Sequence, residues 1–285
     1  MGGDPLCLRP HLPQRRQLGA PGRLYRRVRH CLPLQSAPGQ PRGSWRLSGR
    51  GHLCAAHRGC FCPAGLDDVQ LLPGMKDREV LAFFDATGQR LGTKSRAEVH
   101  RDGDWHWLVF VWAARLDAAG SVQVLLQVRS RPGDPFWGSV DAPAGGHVLA
   151  AESPVQGAQR EFAEEVGIAL AEEDLVYLGE GKLENPTGEC QRVIEHFYLC
   201  TRPILLEETC FSDEAGGFVE VELEAFLGLV EGQRGGVGGL GRLAGQHVAR
   251  EVELTCQQLA PYSPAILGEF SRCLQAIRNY GLKRA

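Results

Sequence analysis

The chain predicts an α/β fold, a mixed β-sheet sandwiched between helices. Two observations carry this. Short apolar or alternating runs of strand type are interleaved with only three helical stretches, and this ordered patterning starts abruptly near Asp77. Before it lies a segment with no periodicity at all. A length of 285 residues and 43% hydrophobic content allow one medium domain with an appendage. We therefore divide the chain into an extension, residues 1–74, and a single domain, residues 75–285.

The extension is set apart by its charge. Residues 1–66 hold 11 arginines, no lysine and one acid (Asp4), a net of +10, whereas residues 67–285 carry 20 bases and 33 acids, a net of -13. A composition of Pro, Gly and Arg buries too little apolar surface to offset its ordering entropy, so disorder is expected here. A basic nucleic-acid-binding tail and a transit peptide both have this composition. So does a GC-rich frame translated upstream of a start at Met75, which best explains arginine without lysine or glutamate. Five of the ten cysteines lie in this part. Cys54, Cys60 and Cys62, with His52 and His57, lack the paired spacing of a zinc site. The remaining cysteines show no disulfide framework and read as reduced thiols. No apolar run is long enough to cross a bilayer, and no apolar secretory core follows Met1, so the expectation is a cytoplasmic protein with neither a membrane nor a nucleic-acid partner.

Within the domain, residues 79–85 read as a strand. Residues 107–115 and 121–129 read as two more, joined by the turn DAAG, and 191–200 as a further buried one. A short helix is expected over 223–230. A longer one over 263–280 is capped by Ser263 and Pro264 and carries Ile266, Leu267, Phe270, Leu274 and Ile277 on one side. The glycine-rich GVGGLG at 236–241 formally matches a dinucleotide fingerprint, but it lacks the strand-to-helix context that gives that motif meaning. It reads as a flexible loop.

The most informative segment is the helix expected over 154–166. Ser153, Pro154 and Gln156 supply an N-cap, a first-turn proline and a capping-box partner, and Gly167 a left-handed stop. Val155, Ala158, Phe162 and Val166 form its buried stripe, which leaves Glu161, Glu164 and Glu165 together on another face. Like charges at this spacing repel, and Arg160 is the only cation within the helix. Three carboxylates of this density suit a hard divalent cation, Mg²⁺ or Mn²⁺, that also binds phosphates. An acidic helix face is more often plain solvated surface. The positions around it argue otherwise: Gly146, Glu152, Arg160, Glu161, Phe162, Glu164, Glu165, Gly167 and Ile168 fit the template G, five residues, E, seven residues, REUxEExGU, with U bulky and apolar, without substitution.

This segment resembles a complete Nudix box. The resemblance implies an α/β/α Nudix fold and metal-dependent hydrolysis of a phosphoanhydride bond in a nucleoside diphosphate derivative. It implies Gly146, through its carbonyl, and Glu161, Glu164 and Glu165 as metal ligands, and an Arg160–Glu152 ion pair that fixes loop to helix, these residues together making the catalytic set. Over residues 84–227 the chain is also similar to the isopentenyl-diphosphate-isomerase-like branch, on FDATGQRLGTKSRAEVHRDGDWHWLVFVW, LLQVRS and AGGH. Isomerases of that branch need a cysteine in the loop ahead of the histidine, where this chain has Ala144 and Gly145 before His147, so the hydrolase reading gains.

His100, His106 and His147 match histidines that hold a second metal in those isomerases, against the commoner role of a hydrogen-bonded structural histidine. Arg129 is a candidate phosphate contact through its planar fork, or a surface charge. Trp137 reads as a core residue, with base stacking as its functional alternative. Glu195, Glu214 and Glu220 are candidate general bases, as are Glu164 and Glu165 themselves. Competing classes are an isomerase and a non-catalytic binding module, although such a module is expected to have lost a box carboxylate. The partner is a small-molecule diphosphate whose identity the sequence does not give. The oligomeric state stays open, a homodimer included.

Overall fold

The computed structural model describes residues 79–130, 134, 136–185, 191–211, 215–244, 246 and 248–282. The 1–74 extension, the start at Met75 and Glu214 lie outside the described residues. The strands are β1 (Val80–Phe84), β2 (Arg90–Ser95), β3 (Trp105–Leu116), β4 (Val122–Arg129), β5 (Val140–Asp141), β6 (Ala144–His147), β7 (Leu175–Glu184), β8 (Arg192–Cys200), β9 (Ala215–Glu222), β10 (Gly236–Leu243) and β11 (Arg250–Thr255). The helices are α1 (Arg96–Asp102), α2 (Pro154–Val166), α3 (Leu223–Val230) and α4 (Pro264–Tyr280).

All the described strands join one sheet. Its mixed character comes from β3 and β8, which run parallel, whereas the other pairs are antiparallel. Alternation along β3 and β8 divides the core in two. Val109, Val111, Ala113, Tyr198 and Cys200 pack with Ala158, Phe162 and Val166 of α2. Trp112, Ala114, Phe197 and Leu199 pack on the other side with Phe226 of α3 and Phe270, Leu274 and Ile277 of α4. Helices therefore cover both faces.

β3 is the spine of the site. One edge of its first half carries β6, with Val109 opposite Gly146, and the other carries β8, with Val109 opposite His196. The box loop is thereby held beside a buried strand rather than left on the surface.

The expected strands and helices are present, with more besides. The GVGGLG segment, expected as a loop, is strand β10 between β9 and β11. Its glycines allow a close approach: a Cβ on Gly239 would fall 2.4 Å from the Glu220 carbonyl oxygen. Trp137, expected in the core, is 52% exposed on the turn before β5. The turn places it there, because its amide donates to the Asp134 carbonyl and Gly138 follows with φ of 78°.

Candidate functional site

Helix α2 begins as its sequence dictates. The Ser153 hydroxyl accepts from the Gln156 amide, Gln156 returns a bond to the Ser153 amide, and Gly167 ends the helix in the left-handed conformation. This fixes the rotation of the helix, with Ala158, Phe162 and Val166 inward and the three glutamates along one flank. Burial rises from Glu164, which is exposed, through Glu165 to Glu161, which is 9% exposed.

Arg160 ties this flank to the loop. Its Nε and Nη2 donate to the two oxygens of Glu152 at 2.7 and 3.0 Å, and Nη2 also donates to the His147 carbonyl at 2.7 Å. Nη1 donates to Glu161 at 2.8 Å and to Glu164 at 3.3 Å. Glu152 in turn accepts from the Leu149 amide. Burial opposes the charge on Arg160, but the bonds and charges of Glu152 and Glu161 outweigh it and hold the guanidinium protonated.

The backbone of Gly146 lies directly against Glu161. A Cβ there would fall 2.3 Å from Oε1 and 2.6 Å from Oε2, so no side chain fits. Glu165 accepts through Oε2 from the Gly145 amide at 3.2 Å and from the Gln127 side-chain amide at 2.9 Å. The structure thus brings Gly146, Glu161, Glu164, Glu165, Arg160 and Glu152 together. Three carboxylates on one helix flank, against one arginine and beside the Gly146 backbone, fit a hard divalent cation.

Arg129 is spent within the protein. Nε and Nη2 bond Asp134 at 2.9 and 2.6 Å, Nη1 bonds Asp141 at 3.1 Å, and the guanidinium lies over Phe136. A phosphate contact would have to displace these partners. Tyr262 donates to the same Asp141 at 3.2 Å. Sequence spacing does not reveal the Tyr262 arm of this network, which joins residues 121 positions apart.

The outside glutamates divide. Glu220 is gripped bidentately by Arg115 at 2.6 and 2.5 Å. Glu195 is 6% exposed and shares its sheet face with Phe197, beneath α4 and opposite the face that α2 covers. Burial, with the charges of Glu269 and Asp141, pushes its carboxyl up to about 8.

His100 from α1, His106 from β3 and His147 from β6 converge. Their ligand atoms lie within 4.8 Å of one another, and the Nε2 atoms of His100 and His147 are 3.0 Å apart. His106 Nδ1 bonds the Asp104 carbonyl at 2.9 Å. A carbonyl only accepts, so Nδ1 carries the proton and Nε2 a lone pair. That Nε2 is buried and has no partner among the described residues. Burial lowers His106, and burial with the His106 and Arg96 charges lowers His100 to about 4, so both rings are neutral at pH 7.

A family model described as the NUDIX domain matches residues 106–234. Over these residues, less than half of its length, the chain is similar to the Nudix domain. Among curated proteins, an uncharacterized Nudix hydrolase of Clostridium acetobutylicum is 28% identical over 176 residues, 61% of this chain and 84% of that protein. Nudix hydrolase 3 of Arabidopsis thaliana is 41% identical over 85 residues, which are 30% of this chain but only 11% of the Arabidopsis protein. A crystal structure from Deinococcus radiodurans overlays at a TM-score of 0.41 and 17% identity, covering 54% of this chain and 89% of that one. The Clostridium and Arabidopsis relatives are both Nudix hydrolases by name. No helix among the described residues is long and apolar enough to cross a membrane.

Proposed function

We propose that this chain hydrolyses a phosphoanhydride bond of a small nucleoside diphosphate derivative, using Mg²⁺ or Mn²⁺ at the Nudix box. The observation that carries the proposal is the close approach of the Gly146 backbone to Glu161 beside Glu164 and Glu165. On this reading the Gly146 carbonyl and the three glutamates hold the ion. When bound, such an ion neutralises charge on the diphosphate and orients a water for in-line attack. Arg160 and Glu152 keep helix and loop in register, so the ligands are placed before substrate arrives. Among the described glutamates, we assign the water's proton to Glu164. Glu220 is locked by Arg115, Glu195 lies on the far face of the sheet, and Glu164 is the most exposed of the box carboxylates.

A second reading adds a metal at His100, His106 and His147. The lone pair of His106 Nε2, buried without a partner among the described residues, supports it. Isomerase chemistry is not favoured. Where the resembling branch needs a thiol this chain has Ala144 and Gly145, and a Cβ on Gly145 would fall 2.6 Å from the Phe110 ring.

A substrate panel with Mg²⁺ tests the reading. Nucleotides, nucleotide sugars, dinucleotides, coenzyme A and isopentenyl diphosphate are followed by phosphorus and proton NMR, and bound metal is counted per chain. Cleavage of at least one nucleoside diphosphate derivative, without double-bond migration in isopentenyl diphosphate, is expected. Migration without cleavage would replace the hydrolase with an isomerase. Two bound metals per chain would support the histidine site, and one would leave those histidines structural.

A further inference from the structure

We propose that Gln127 is a positioning residue for Glu165, a role that rests on the metal-dependent reading above. The sequence gives it one mark: it is a polar residue within the otherwise apolar stretch VLLQV of β4. Its side chain is 4% exposed. Burying an amide is costly unless its donors find acceptors.

Both donors do. Nε2 lies 2.9 Å from Glu165 Oε2 and 3.2 Å from the Pro143 carbonyl oxygen. A carboxylate and a backbone carbonyl accept only, so the NH₂ end of the amide must face them, and its two hydrogens meet two acceptors. The Gly145 amide donates to the same Glu165 oxygen. One carboxylate oxygen is therefore clamped by β4 and by the backbone entering the box loop, and the amide fastens Pro143 of that loop as well.

An apolar side chain of equal length would fill the strand position without needing any partner. The amide instead fixes the plane of a carboxylate that lies beside β6, the strand carrying Gly146. Partners behind metal ligands work in this way, orienting the ligand so that binding does not have to order it. Gln127 thus acts through Glu165 and does not itself touch the ion.

Metal titration tests this apart from turnover. The wild type, Gln127→Met and Gln127→Asn are stripped with chelator and titrated with Mn²⁺ by electron paramagnetic resonance, with the melting temperature of each apo protein recorded. The comparison uses the binding event that Glu165→Gln weakens. Affinity is expected to fall about 10-fold or more in both Gln127 variants. In a Glu165→Gln background, Gln127→Met is expected to change affinity less than about twofold, because the positioned ligand is gone. Wild-type affinity in either folded Gln127 variant overturns the role, and so does a full loss that persists in the Glu165→Gln background. If the wild type binds no Mn²⁺, the metal reading itself fails and Gln127 loses its role with it.

Discussion

Replacing Glu164 or Glu165 with glutamine is expected to lower turnover by about two orders of magnitude or more while the protein stays folded. Glutamine keeps the size and helix propensity of glutamate and removes only the charge. Loss of one preorganised electrostatic group at a reacting centre costs roughly 3–4 kcal/mol of transition-state stabilisation, which sets that scale. Stability should not suffer in proportion. Without metal, the flank of α2 sets Glu161, Glu164 and Glu165 against one another with Arg160 between, and removing one like charge relieves repulsion. The check is kcat for each variant on the best substrate beside its urea midpoint. Unchanged turnover in both variants would remove α2 from the mechanism.

Arg160→Met is expected to cost stability as well as activity. The guanidinium serves Glu152, Glu161, Glu164 and the His147 carbonyl at once, and its side chain is 24% exposed. Methionine fills similar space and leaves Glu161 and Glu152, both mostly buried, without their cation. Removing one partner of a buried pair costs about 3–5 kcal/mol, and partial exposure of this group points to the lower end. Arg160→Lys should lose less, since it keeps the charge but not the fork that spans both oxygens of Glu152. Urea unfolding measures this directly. A loss below about 1 kcal/mol would mark the cluster as an ordinary surface ion pair.

The parts of this fold legible in the sequence are those with strong local rules. Helix α2 was readable to its ends because Ser153, Gln156 and Gly167 are capping residues and the apolar spacing is regular. Strands β1, β3, β4 and β8 and helices α3 and α4 were likewise visible. Strands β7, β9 and β10 were not. Glycines interrupt all three, charges alternate along β7, and strand pairing compensates for their poor propensity. Helix α1 escaped because its seven residues carry one buried apolar side chain, Val99, although Ser95 and Glu98 form a capping box.

The site divides along the same line. The box residues sit on one helix and on the strand and loop that lead into it, so their spacing predicts their proximity. The histidines are brought together only by topology, from α1, β3 and β6. Gln127 was unreadable for a different reason. Its partners, Pro143 and Glu165, lie 16 and 38 positions away, and only the pairing of β4 with β5 and the docking of α2 bring them into reach.

If Gly146 of β6 and the glutamates of α2 form a metal-dependent hydrolytic site, turnover needs both the ion and the carboxylates. Phosphorus NMR of the full chain, stripped with chelator and then supplied with Mg²⁺, tests it most directly with any substrate the panel identifies. No phosphoanhydride cleavage is predicted before Mg²⁺ is added, with cleavage returning as a saturable function of its concentration in the wild type but not in a Glu164→Gln, Glu165→Gln double variant. Cleavage at the same rate in chelator, or equal Mg²⁺ activation of wild type and double variant, would rule out a metal site on α2.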